Sequence, residues 1–351
     1  MAGSFYVDII QVGVSMILII AIGYILSWLQ LFDADGFKAM NAFSAKICFP
    51  FLLFRSMASR PFKEISVRPL YNALLSSASS QIVLLVIFFF KFDDRLYTYL
   101  STVISSCYIN YIILGLPIFT SIWGNNYNQI PAISSFCHYI LLVPLFIINS
   151  QLWKIKKEKE ELFKKQQLEG GKNADVKLQK LTWKDVVMAF WTAVKTPLVV
   201  GNIIGIIWSA IGIPFPPFFK KLSDYVGDGI TLFALLGIGR FLQQKSLISC
   251  HWFQLLSCLV VRFFIFPGFS FLWSYVFKFP NRIARQCLVL SMLPAANAGF
   301  ILANSVGIGA NVASAMVFWS LIFLVPVLLL WFYILDHYDI FHDDLSDIEK
   351  T

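Results

Sequence analysis

Two asparagines, Asn110 and Asn297, stand inside apolar runs long enough to cross a bilayer, and each sits beside residues that break helices. Asn297 belongs to SMLPAANAGFILANSVG, Ser291 to Gly307, with Pro294 and Gly299 on either side of it. Asn110 belongs to SCYINYIILGLPIFTSIWG, Ser106 to Gly124, with Gly115 and Pro117 following. An amide both donates and accepts, so it suits a carboxylate or the backbone groups that a broken helix frees. Inside hydrocarbon each freed N–H or C=O costs several kcal/mol unless protein, ligand or a water-filled cavity receives it. Paired, Pro/Gly-interrupted segments about half a chain apart are the sequence pattern of a midplane binding site in a secondary transporter. The competing reading is two kinked helices without a site, since Pro and Gly are commoner in membrane helices than in soluble ones.

Four further polar residues fall within apolar segments. Lys46 in NAFSAKICFPFLLF is roughly 12 Å from the nearer surface at 1.5 Å per residue, beyond the reach of snorkelling. It needs a partner or a water cavity, and Asp228 in the corresponding helix of the other half is the candidate, either as a structural pair or in substrate or proton handling. Arg262 in VVRFFIFPG must face the bundle or a cavity. His138 would couple protons if it titrates, or pack as a hydrogen-bonded ring. No Walker motif is present, and the four His lie near no nucleophile signature, so neither ATP-driven work nor an enzyme is expected. Six Cys show no metal-ligand spacing; no metal and no cofactor is called for.

The elements that must position these residues follow from composition. Of 351 residues 58% are hydrophobic and 14% charged, a balance that excludes a soluble globular domain. The net charge of +8 comes mainly from a linker with ten lysines between Trp153 and Lys184, which argues for lipid contact and orientation and against nucleic-acid binding. Hydropathy and turn signals predict ten spans of roughly 20 residues: 6–29, 38–57, 69–91, 97–123, 129–152, 197–213, 218–242, 248–277, 283–306 and 309–335. The chain thus divides into a first five-helix repeat (1–152), a Lys-rich cytoplasmic linker (153–196), a second repeat (197–335) and an acidic tail (336–351). An odd number of spans on each side of the linker gives the halves opposite topology, an inverted repeat. Within the linker, Thr182–Asp185 is a capping signal for a helix lying in the membrane surface, or for an early start of the sixth span. The predicted fold class is an all-α membrane protein of ten transmembrane helices in a 5+5 inverted repeat, in the plasma membrane or the endoplasmic reticulum.

NYIILGLPI (110–118) and LPAANAGFILA (293–303), with FPFLLF (49–54), KTPLVVGNIIGIIWS (195–209) and GDGITLFALLGIG (227–239), resemble the auxin efflux carrier family of PIN and PIN-like transporters. The resemblance spans nearly the whole chain except linker and tail. It implies a scaffold of the first, second, sixth and seventh helices, a homodimer through that scaffold, and a mobile unit in which broken fourth and ninth helices cross. It places Asn110, Pro117, Pro294, Asn297 and Gly299 at the substrate site, with Tyr139 as an aromatic contact. The third helix, LLSSASSQIV, lacks the Asp and Lys of plant members, so auxin itself is not implied. The resulting expectation is an efflux-type carrier of a small amphipathic organic anion; the alternative is a non-transporting receptor or sterol-type sensor on the same fold.

Overall fold

A computed structural model describes residues 2–58, 67–89, 94–112, 114–123, 129–169, 182–195, 197–244 and 248–341. Residues 124–128 of the WGNNYNQIP turn, the Gly-Gly break of the linker and most of the acidic tail fall outside them. Among the described residues the regular structure is helical throughout. Helix α1 runs Ala2–Trp28. Helix α2 (Ala34–Phe43) passes through a π-helical stretch, Ser44–Cys48, into α3 (Phe49–Ala58). Then follow α4 (Val67–Phe89), α5 (Arg95–Cys107), α6 (Gly115–Trp123) and α7 (Gln129–Cys137), which continues through π-helical His138–Leu142 into α8 (Val143–Glu169). Helix α9 (Trp183–Val194) lies in the linker. The second half holds α10 (Pro197–Ile211), α11 (Pro217–Gln244) and α12 (Trp252–Val260), joined by π-helical Val261–Ile265 to α13 (Phe266–Val276), then α14 (Asn281–Ser291), α15 (Asn297–Val306) and α16 (Ala310–His337).

Among the described residues five helices are long and apolar enough to cross a membrane: Val67–Phe88, Ile133–Lys165, Pro217–Gln244, Trp252–Val276 and Ala310–His337. The predicted fourth and ninth spans do not qualify as single helices because each is interrupted, between Cys107 and Gly115 and between Ser291 and Asn297. The starts are chemically marked. Asp33 accepts from the Gly36 N–H at 2.7 Å to cap α2, and Asp94 accepts from the Tyr97 N–H to cap α5.

Helices α1 and α11 pack together, as do α3 and α10, and α11 also lies on α3. These contacts are backbone-close. A side-chain carbon at Gly239 would fall 2.1 Å from the Ile20 carbonyl oxygen, and one at Gly201 would fall 2.6 Å from that of Pro50. Small residues at such crossings gain van der Waals contact where lipid gives no hydrophobic drive. Elsewhere α4 packs on α5, α7 and α13, and α5 packs on α12 and α16. There, buried amides do the joining: Asn72 donates to the Ser270 carbonyl and Ser274 hydroxyl, both at 2.8 Å, while Gln254 donates to Ser101 and Thr102 at 2.8 and 2.9 Å. Satisfied amides of this kind hold helices in register.

Helix α9 ends at Val194 and α10 starts at Pro197. The former exposes Trp183, Val187, Met188, Phe190 and Trp191, which gives it an apolar surface of the type that lies in a membrane interface.

Candidate functional site

The two interruptions lie against each other. Ile109, between α5 and α6, pairs antiparallel with Ala295, between α14 and α15. The Asn110 N–H donates to the Pro294 carbonyl at 3.0 Å, and the Ala296 N–H donates to the Tyr108 carbonyl at 2.8 Å. Remaining donors find side chains: Ile109 N–H reaches His138 Nε2 at 3.1 Å, and Ala295 N–H reaches Ser320 Oγ at 3.1 Å. Of the receivers expected for the freed backbone, it is protein that serves here. Each break supplies the partners the other lacks, as two antiparallel strands do.

Side-chain groups do stay unsatisfied. Asn297 is 1% exposed, and among the described residues neither its Oδ1 nor its Nδ2 has a hydrogen-bond partner. An unpaired buried amide costs about 1–3 kcal/mol per group, so it calls for an explanation, and a ligand is one. Asn297 opens α15 and Gly115 opens α6, so two helix N-termini, each with about half a positive charge, start at the crossing. Gly299 makes the contact possible. A side-chain carbon there would lie 3.2 Å from the Ile104 carbonyl oxygen and 3.3 Å from Tyr108 Cβ. Pro294 contributes its carbonyl. Pro117 does not make the break: it lies in the first turn of α6, where a missing N–H removes no intrahelical bond. The residues that leave the helix are upstream, between Cys107 and Gly115.

Beside the crossing is a cavity of about 50 Å³ lined by Tyr108, Asn110, His138, Tyr139, Arg55 and Asp228, among others. One water needs roughly 10–15 Å³ by this measure, so the cavity has room for a few waters and none for an organic ion. The His138 ring stacks between Tyr108, at 4.3 Å, and Tyr111, at 5.1 Å between centroids. Its Nε2 is occupied as an acceptor for the break, so the neutral ring carries its proton on Nδ1, a tautomer assigned from the bonding.

The family model described as membrane transport protein matches residues 8–332, nearly the whole chain. The chain belongs to this family. Two rice (Oryza sativa subsp. japonica) proteins are similar to this membrane transport protein: probable auxin efflux carrier component 1b, 21% identical over 155 residues, and component 5a, 23% identical over 159. Those alignments cover 43% and 44% of the present chain, and 28% and 44% of the relatives, so the chain spans less than half the length of either. The resemblance to the auxin efflux carrier family is thus borne out, and the chain is a multi-pass membrane protein of a transport family.

The charges of this transport protein are arranged differently from the sequence expectation. Asp228 bonds Arg55, whose Nη2 is 2.8 Å from Asp228 Oδ1 and whose Nη1 is 2.9 Å from Asp224 Oδ1. Lys46 is exposed and is not the partner. Arg55 stands nine residues further on, roughly 13 Å along a helix, level with Asp224 and Asp228 of α11. Arg55 escaped the sequence reading because it resembled a loop charge at the end of a span. The findable signal was on α11: carboxylates at i and i+4 share one face and call for a cation. Arg262 is fully buried, donates to the Ser106 and Ser291 carbonyls, and lies over the Phe266 ring. Lys46, His138, Tyr139 and Arg262 all fall in the π-helical stretches, the local distortion that commonly marks functional positions in helices.

Proposed function

We propose that this chain is a secondary, efflux-type carrier of an amphipathic organic anion, working by alternating access around the crossed breaks. The observation that carries the reading is the Asn297 amide, buried and unpartnered where two helix N-termini meet. Asn110 lines the adjoining cavity with Tyr139, which offers an aromatic wall. Amide donors and helix N-termini together favour a carboxylate, and the aromatic side chains favour an apolar body attached to it. Arg55 adds a guanidinium at the cavity, held by Asp224 and Asp228 until an anion competes for it.

The architecture in this reading is ten spans in a 5+5 inverted repeat around the 153–196 linker, with α1, α2–α3, α10 and α11 as scaffold and homodimer surface. The remaining spans move. A 50 Å³ cavity cannot admit an organic ion, so binding requires the mobile unit to shift against the scaffold, which is the motion that alternating access needs. His138 serves as a structural partner of the break and not as a proton carrier, because protonating Nε2 would remove the acceptor for the Ile109 N–H.

Proteoliposome counterflow tests this directly. Purified protein is reconstituted with benzoate or indole-3-acetate inside, and uptake of the labelled acid is followed. Saturable counterflow of at least one acid is expected. Saturable binding without flux would instead favour a receptor on the same fold, and flux that rises linearly with concentration would favour a channel.

A further inference from the structure

We propose that Arg262 is a built-in counter-cation of the helix crossing, and that its guanidinium stands where a mobile metal cation would otherwise be required. Helices α5 and α14 both end at the crossing, at Cys107 and Ser291. The last carbonyls of a helix have no intrahelical acceptor role to fill, and they gather about half a negative charge at each C-terminus. Two C-termini meeting in the buried interior therefore present roughly one negative charge. Arg262 answers it with one positive charge: Nη1 donates to the Ser106 carbonyl at 3.0 Å, and Nη2 donates to the Ser291 carbonyl. One side chain thus bridges the carbonyl ends of both broken helices.

The delivery of that charge is specific. Arg262 is 0% exposed and, among the described residues, forms no ion pair with any carboxylate. Its Cζ lies 4.5 Å above the Phe266 ring, whose π face adds to the attraction. The π-helical stretch Val261–Ile265 frees a carbonyl, and Trp331 Nε1 takes the one at Phe263 at 2.8 Å. Broken-helix carriers commonly hold a mobile Na⁺ or H⁺ with unwound carbonyls and half-helix C-termini. Here those carbonyls already face fixed donors, so a metal cation at this point would meet a like charge and occupied oxygens. A lysine could not replace the arginine fully, because a point charge on a single stem cannot fork to two carbonyls.

The test is thermal unfolding of the purified full-length chain in detergent, comparing parent, Arg262→Ala and Arg262→Lys. Each is titrated with methylguanidinium, sodium, potassium and choline chlorides at equal ionic strength. The parent is expected to respond alike to sodium, potassium and choline. Arg262→Ala should unfold at lower temperature and regain most of the lost Tm saturably with methylguanidinium, measured relative to the parent's response to the same salt, since a ligand that binds only the folded state raises Tm by mass action. Arg262→Lys should fall between the two. Saturable, cation-specific stabilisation of the parent by sodium or potassium would overturn the inference, as would an Ala variant that tracks the parent in every salt. If Arg262→Ala does not fold, Arg262→Lys decides: folding recovered by the charge alone upholds the inference, and equal failure overturns it. The readout needs no transported substrate, so it stands or falls separately from the carrier reading, on which only the consequence for coupling rests.

Discussion

At the residue scale, the charges show how a buried pair and a half-exposed one differ. Lys46 and Asp228, taken as a buried pair, would be worth several kcal/mol on breaking. Asp228 instead pairs with Arg55 while its own side chain is 69% exposed, and an exposed pair contributes at most about 1 kcal/mol. A double-mutant cycle of Arg55→Ala and Asp228→Ala, read by thermal unfolding, should give a coupling below that value. A coupling of several kcal/mol would mean that the pair is closed off from solvent. A second ion pair joins Lys157 to Asp94, whose carboxylate lies outside the spans named above. Burial alone would raise the Asp94 carboxyl, but hydrogen bonds from Lys157 at 2.9 Å, from Trp153 at 3.1 Å and from the Tyr97 N–H outweigh it and hold it below the usual range. A depressed folded-state pKa contributes stability that is present above the unfolded value and lost as pH falls through the folded one. Asp94→Asn should therefore lower Tm at pH 7, and the gap to the parent should close as the pH falls below about 4. A gap that is constant from pH 7 to 3 would contradict that account.

At the element scale, the crossing depends on close approach more than on proline. Pro117 sits where any residue could sit without loss of an intrahelical bond. Pro117→Ala should leave the break in place, because the antiparallel pairing around Ile109 and Ala295 holds it. Gly299 is less forgiving. The atoms a methyl group would press against are the Ile104 carbonyl, which is helix backbone, and the Tyr108 side chain next to it. Gly299→Ala should cost roughly 1–3 kcal/mol in stability, the range for overpacking, while Pro117→Ala should stay within roughly 1 kcal/mol. Unfolding measurements on both variants, with the order of the two losses reversed, would show that proline makes the break after all.

At the scale of the whole molecule, orientation rests on the lysines of the linker. In a Cys250→Ser background, a cysteine at Gly171 should be protected from an impermeant thiol reagent in intact cells, and one at Ser346 should be labelled when the protein reaches the surface. Labelling at Gly171 alone would invert the topology. The helical, membrane-spanning character and the two interruptions were legible in the sequence, because hydrocarbon punishes irregular backbone and so makes Pro294, Gly299 and the Asn110 region stand out against apolar runs. That the breaks meet was implied by the family resemblance, but the hydrogen bonds that pair them were not legible, since Asn110 with Pro294 and Ala296 with Tyr108 are far apart in the chain and carry no mutual pattern. Arg262 could be placed in the interior but not assigned its carbonyl partners, which backbone geometry alone decides. Arg55 was hidden by its position at a helix end. The central claim is that an organic anion binds at the crossing through Asn110 and Asn297. Counterflow of whichever acid the parent transports, benzoate or indole-3-acetate, measured for Asn110→Ala and Asn297→Ala at matched amounts of folded protein, tests it most directly. Both variants should lose at least about tenfold in flux at low substrate, the effect of roughly 1.4 kcal/mol in binding, while Asn297→Ala unfolds no lower than the parent because its amide has no partner to lose; parental flux in both variants would contradict the account.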